Sequence, residues 1–152
     1  MNIRMLVMDV DGTLTDGHIY IGAKGETMKA FHVQDGYGIA HILPKLGIIP
    51  VIITGRSSRI VEKRAAELKI VHLYQGIIDK LSKLNEIAAE LHIPAEEIAY
   101  IGDDLNDLEC IRYCGHTGCP ADAVPEVMGA VDYVCKRNGG SGAVREFIDH
   151  LI

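Results

Sequence analysis

The sequence predicts an α/β fold: a three-layer, Rossmann-like parallel sheet with a β-hairpin flap after the first strand. Three observations carry that expectation. Short apolar runs rich in Ile and Val alternate with longer segments of helical period, the pattern of a parallel sheet wrapped by crossover helices. The runs lack an apolar-polar alternation, as strands buried on both faces should. One segment breaks the pattern, because two β-like runs at 18–21 and 28–31 flank Gly22-Ala23-Lys24-Gly25-Glu26, a hairpin signal.

The elements follow in order. Strands are expected near residues 3–9, 48–54, 70–74, 98–102, 114–117 and 131–134, giving five or six βα units. Asp35 is placed to N-cap a helix over 36–46, and Ser57 or Ser58 one over 59–68, whose apolar residues recur at helical spacing. The longest helix covers 79–91, and His92 to Pro94 ends it. A short acidic turn, Ala95-Glu96-Glu97, leads into the next strand. A final helix over 143–152 follows the flexible Asn138-Gly139-Gly140-Ser141-Gly142 loop. No repeat, low-complexity tract or linker divides the chain, so residues 1–152 are expected to form one domain, with the flap at about 17–32.

Composition narrows the function classes. The net charge is −6 and the 15 Lys and Arg are scattered, so there is no electrostatic footprint for nucleic acid. The longest apolar stretch, residues 48–53, contains Pro50 and falls far short of the roughly 20 residues that a membrane span needs. The chain opens on a charged strand without a secretory h-region, so a reduced, cytoplasmic setting is expected for Cys110, Cys114, Cys119 and Cys135. Their spacing lacks a CxxC knuckle, which argues for packing thiols over zinc ligands.

Ligands of an open parallel sheet bind beyond the carboxyl ends of its strands, and the polar clusters fall there. The first strand runs into Asp9-Val10-Asp11-Gly12-Thr13, the second into Thr54-Gly55-Arg56, and the fourth into Gly102-Asp103-Asp104 with Asp107 three residues on. Lys80 opens the helix after the third strand. Two like charges one residue apart at a strand end need a cation or split pKa values. The set supplies carboxylates for a hard cation, a hydroxyl and turn amides for phosphate oxygens, and a lysine for charge. Oxygen-only ligands favour Mg2+ over zinc. An EF-hand reading fails, because counting from Asp9 puts Leu14 and Tyr20 where Gly and Glu belong.

The order DxDGT, Thr-Gly, Lys, GDDxxD resembles the haloacid dehalogenase superfamily of phosphohydrolases along essentially the whole chain. The resemblance implies that Asp9 is the nucleophile that forms an aspartyl-phosphate and Asp11 the general acid and base. It implies that Thr54, Gly55 and Lys80 bind the phosphoryl group. Asp103 would bind Mg2+ with the Asp9 carboxylate and the Asp11 carbonyl, with Asp104 and Asp107 as further or supporting ligands. Only 42 residues separate Asp11 from Thr54, and 22 separate Lys80 from Asp103, so no cap domain fits.

Finer text is similar to the 3-deoxy-D-manno-octulosonate 8-phosphate phosphatases and to the phosphatase-like domain of acylneuraminate cytidylyltransferases. That text is Leu14-Thr15-Asp16-Gly17, Lys29-Ala30-Phe31-His32-Val33-Gln34-Asp35-Gly36, Thr54-Gly55-Arg56 and Gly139-Gly140-Ser141-Gly142-Ala143-Val144-Arg145-Glu146. The resemblance implies a phosphorylated 2-keto-3-deoxy sugar acid, octulosonate or nonulosonate, as substrate and a homotetramer whose flaps pack together. Arg56 is the leading candidate for gripping the sugar-acid carboxylate; His32, Arg64 and Arg145 are weaker ones. Many relatives carry a basic residue at Gln34 and a tail beyond Ile152. A non-catalytic tetramerising module is the alternative, and the intact motif residues argue against it. A receiver domain is disfavoured because its phosphorylated Asp lies on a later strand than its acidic pair.

Overall fold

The structure is a computed structural model that describes all 152 residues. The apolar run at the start of the chain forms β1 (Met5–Met8), buried at every position. Around it the chain lays down β4 (Ile49–Ile53), β5 (His72–Tyr74), β6 (Ile98–Ile101), β7 (His116–Cys119) and β8 (Tyr133–Val134), a six-stranded sheet in the order β5-β4-β1-β6-β7-β8. Every pairing in it is parallel. The helices are α1 (Val33–Tyr37), α2 (Arg59–Glu67), α3 (Lys80–Leu91), α4 (Leu108–Tyr113), α5 (Pro125–Met128) and α6 (Ala143–His150).

Strand side chains alternate between two cores because successive residues point to opposite faces. Leu6, Met8, Ile52, Ala99 and Ile101 join Ile39, Val61, Val144 and Phe147 on one side. Met5, Val7, Val51, Ile53, Ile98 and Tyr100 join Leu84, Ile87, Cys110 and Val127 on the other. Helices α1, α2 and α6 therefore cover one face and α3, α4 and α5 the other, which is the expected three-layer arrangement. Between β1 and α1, β2 (Tyr20–Gly22) and β3 (Gly25–Met28) pair antiparallel as a separate hairpin. No cap domain is inserted, and no helix is long and apolar enough to cross a membrane. The four cysteines are free, and burial pushes each thiol above its ordinary range, which suits packing thiols and disfavours the reactive thiolate.

Three elements differ from expectation. The second hairpin strand, expected at 28–31, lies at Gly25–Met28, and Gly22 pairs with Gly25, so that only Ala23 and Lys24 form the turn. The strand expected at 114–117 lies at His116–Cys119. Cys114 closes α4, and Gly115 donates to the Ala95 carbonyl at 2.8 Å in a place where a Cβ would sit 2.5 Å from Glu96 Cα. That close approach keeps residues 114–115 in the loop.

The helix expected at 36–46 starts earlier, at Val33, where His32 Nδ1 accepts from the Gln34 N–H at 3.1 Å. It then loosens into a π turn over Gly38–Ile42 and tightens into a 3-10 turn over Leu43–Leu46. Pro44 has no N–H to donate one turn back, so the α ladder cannot continue through it.

Asp35, expected to cap that helix, serves another one. It is 2% exposed, and its Oδ1 accepts from the Arg145 N–H at 2.9 Å. Helix α6 begins at Gly142, which has no side chain to cap it, so Asp35 takes the N3 donor that a capping side chain would satisfy. The other oxygen, Oδ2, is buried without a partner. Burial pushes this carboxyl up to about 6, against the Arg145 N–H and the charges of His32, Arg64 and Arg137.

The folded state binds this proton more tightly than the unfolded chain, so the associated stability is complete below the unfolded value of 3.8 and is lost as pH rises through about 6. A shift of that size corresponds to about 3 kcal/mol. Urea titrations at pH 4 and pH 7 should show wild type losing stability relative to Asp35→Asn as pH rises. An equal pH dependence in the two proteins would refute the assignment.

Candidate active site

The chain crosses from β5 back past β1 to β6, so β1 lies at the point where the strand order reverses, flanked by β4 and β6. The crevice of such a sheet opens there, beyond the carboxyl ends. Asp9 follows β1 directly, and its N–H still donates to the Ile101 carbonyl at 3.2 Å. The chain then turns tightly, with the N–H groups of Thr13, Leu14 and Thr15 all converging on the Val10 carbonyl at 2.9–3.1 Å. Thr15 Oγ1 accepts from the Gly12 and Gly17 N–H groups, each at 3.2 Å. Gly12 has φ +91°, and a Cβ there would lie 2.1 Å from Asp103 Oδ2, so both conformation and space require glycine.

The loop after β6 is organised by Asp107, which is fully buried. Its Oδ1 accepts from Lys80 Nζ at 2.9 Å and from the Tyr100 hydroxyl at 2.5 Å. Its Oδ2 accepts from the Asp103 and Asp104 N–H groups at 2.9 and 3.2 Å. Lys80, first residue of α3, also donates to Asp9 Oδ1 at 3.0 Å with its side chain 1% exposed. Burial works against the Lys80 charge, but Asp9 and Asp107 outweigh it and hold the ammonium above the ordinary lysine range. Thr13 Oγ1 donates to Asp103 Oδ1 at 2.8 Å.

Carboxylate oxygens of Asp9, Asp103 and Asp107 lie within 4.8 Å of one another. Burial and the Asp107 charge push the Asp9 carboxyl up against the pull of Lys80, and burial together with the Asp9 charge pushes Asp103 up to about 8. Crowded acids of this kind are relieved by a cation. All the donors are oxygens, the chemistry of a hard divalent ion. Asp107 is already occupied by four protein donors, so the open oxygens are those of Asp9 and Asp103. Asp104, outside this close cluster, caps the following turn, accepting from the Leu105 N–H at 2.8 Å.

A cleft of about 180 Å³ opens over this cluster, lined by Asp9, Asp11, Thr54, Gly55, Arg56, Asp104 and Asn106. Thr54 is buried, fixed by its N–H to the Tyr74 carbonyl at 3.0 Å. Arg56 reaches the cleft without an ion-pair partner, and Glu67, one helix away, pairs with Arg64 at 3.4 Å. Arg64 lies over the Phe31 ring and packs on Gly36, and His32 caps α1. Neither lines the cleft. Arg145 donates to the Gln34 carbonyl and pairs with Asp149 at 3.1 Å.

Sequence reasoning missed four groups. Thr13 and Tyr100 orient Asp103 and Asp107; Thr13 stands within DxDGT but was given no role of its own, and a strand Tyr carries no distinguishing signal. Gly139 packs so closely on the first turn that a Cβ would lie 2.0 Å from the Gly12 carbonyl oxygen; the repeated glycines of that loop were the available hint. The fourth is Lys29, which pairs with Asp11 at 2.5 Å and with Glu26 at 3.0 Å.

A family model for haloacid dehalogenase-like hydrolases matches residues 66–148. The chain is 48% identical to the 3-deoxy-D-manno-octulosonate 8-phosphate phosphatase of Salmonella typhi, over 99% of this chain and 80% of that relative. It belongs to the haloacid dehalogenase-like hydrolases. Within them it is a phosphatase of the 3-deoxy-D-manno-octulosonate 8-phosphate phosphatase family. The crystal structure of the Yersinia pestis phosphatase of that name aligns with a TM-score of 0.94 at 48% identity, covering 97% of this chain and 80% of that one. The Moraxella catarrhalis phosphatase, solved with magnesium, phosphate and the sugar acid, aligns with a TM-score of 0.94 at 43% identity, covering 99% and 86%. For a phosphatase of this family the acidic crevice is the expected place of reaction, and it lies at the strand-order reversal.

Proposed function

We propose that this phosphatase removes the terminal phosphate of 3-deoxy-D-manno-octulosonate 8-phosphate, with Mg2+ as cofactor. The observation that carries the reading is the Asp9–Lys80–Asp107 arrangement, a buried carboxylate aimed at the cleft and held by a lysine fixed from behind. Asp9 attacks phosphorus, the bond to the sugar oxygen breaks, and an aspartyl-phosphate forms. Asp11 gives a proton to the departing oxygen, then takes one from the water that hydrolyses the intermediate. Lys80 and the Thr54-Gly55 turn hold the phosphoryl oxygens. Asp9, Asp103 and the Asp11 carbonyl would hold Mg2+, which when bound offsets phosphoryl charge. Asp107 braces Lys80 and the Asp103 loop, and Asp104 caps its turn.

Arg56 is the candidate for the sugar-acid carboxylate, supported by its place in the cleft and its lack of an ion-pair partner. The reading includes a homotetramer; Ile21, Met28, Val33 and Tyr37 on the hairpin and α1 expose large apolar side chains that fit such contacts. Phosphate release should be measured with Mg2+ on the octulosonate 8-phosphate and, in parallel, on a nonulosonate 9-phosphate. Preferential turnover of the octulosonate is expected. Turnover of neither, by protein that binds the metal, would remove the reading; preference for the nonulosonate would reassign the sugar.

A further inference from the structure

Lys29 stands just beyond β3, and its side chain is 2% exposed. Its ammonium bridges Asp11 Oδ1 at 2.5 Å and Glu26 at 3.0 Å. Glu26 in turn accepts from Ser58 Oγ at 2.5 Å. Ser58 caps α2, and its own N–H donates to Gln75 Oε1 at 2.9 Å. These contacts form an unbroken line from the start of α2, through the hairpin, to Asp11. A lysine is costly to bury unless its charge is fully partnered, and here the partners are the hairpin on one side and the cleft on the other. Phosphate binding does not need it, because Lys80 already approaches Asp9.

We propose that Lys29 is a positioning residue for Asp11, holding one carboxylate oxygen so that the other faces the leaving-group oxygen. The proposal rests on the assignment of Asp11 as acid and base. Asp11 lies on a tight loop at the cleft mouth, where a free carboxylate could turn among rotamers. Proton transfer requires hydrogen-bond reach of the departing atom, so a side chain pinned at Oδ1 and supported through Glu26 and Ser58 keeps Oδ2, which has no protein partner, in a single orientation. The hairpin thereby becomes part of the acid-base apparatus.

Leaving groups of different basicity separate this role from others. A primary alkoxide departs only with a proton, whereas p-nitrophenolate departs without one, and every ester passes through the same aspartyl-phosphate. Steady-state kinetics should therefore be run on 3-deoxy-D-manno-octulosonate 8-phosphate, ethyl phosphate and p-nitrophenyl phosphate. Lys29→Met should lower kcat/KM about 10²-fold for both alkyl esters and change it less than about threefold for the aryl ester, the scale of general acid catalysis. Lys29→Arg should recover most of the loss. Glu26→Gln, which leaves the Lys29–Asp11 contact in place, should show a smaller loss with the same dependence on leaving group, and it carries the test should Lys29→Met fail to fold.

An equal fall on all three esters would show a structural role and overturn the proposal. A fall confined to the octulosonate would show direct substrate contact, with the same result. So would an Asp11→Asn enzyme without leaving-group selectivity, because Asp11 would then not be the acid. Wild-type turnover of ethyl and p-nitrophenyl phosphate but not of the octulosonate ester would defeat the substrate reading and leave this test intact.

Discussion

Asp9→Asn is expected to lower phosphate release by on the order of 10⁴-fold or more, the scale on which a covalent nucleophile is lost. Asparagine fills the same volume and still accepts from Lys80, but its amide cannot attack phosphorus. The fold should survive. Burial and the charge of Asp107 already disfavour the ionised Asp9, so a neutral group relieves repulsion among the three clustered carboxylates. Melting temperature in metal-free buffer should be unchanged or slightly higher, while rapid-quench labelling should detect no phosphoenzyme. An Asp9→Asn protein retaining more than about one part in a hundred of wild-type turnover is incompatible with Asp9 as nucleophile.

Asp107→Ala is expected to have the largest effect on stability, about 3–5 kcal/mol, because it breaks a buried charge pair and strands its partners. Lys80 would keep only Asp9, the Tyr100 hydroxyl would lose its acceptor inside the core, and the Asp103 and Asp104 N–H groups would point into a void. Unsatisfied buried donors carry their desolvation cost without return. Asp103→Ala is the useful contrast. It removes one of the crowded acids and loses only the Thr13 contact among its side-chain bonds, so its metal-free stability should change little while its affinity for Mg2+ falls. Urea denaturation, read as a shift in midpoint at constant slope, distinguishes the two. Equal stability of the two variants would mean that Asp107 is not the brace of the site.

Much of the site was legible because its motifs are local and lie at strand ends. An apolar run that ends in DxDG, or in Gly-Asp-Asp, places its carboxylates beyond the sheet whatever the rest of the chain does. The strand order, which the structure supplies, then puts β1 between β4 and β6, and Asp9, Thr54 and Asp103 meet. Lys80 was legible for the same reason, as the first residue of the longest helix.

The residues that escaped are joined by tertiary contacts. Lys29 meets Asp11 across 18 residues, Thr13 meets Asp103 across 90, and Asp35 meets the start of α6 across 110. No periodicity encodes such pairs. Asp35 looked like a cap for its own helix and instead caps another, because His32 had taken the nearer position and Gly142 had left the distant one open. His32 was a substrate candidate because it ends the flap in sequence, and Arg64 as a basic residue on the helix after Thr54-Gly55-Arg56. The structure gives them to helix capping and to packing against Phe31, since a side chain reaches only what its backbone faces.

The amino-acid sequence by itself determined the parallel α/β sheet and the placement of its acidic motifs beyond the strand ends, because strand burial and strand-end turns depend on residues near one another in the chain. Only the tertiary structure decided which groups hold those acids in place. Orientation is set by hydrogen bonds of about 3 Å, and whether Lys29, Tyr100 and Thr13 fall within that reach depends on how the finished layers pack.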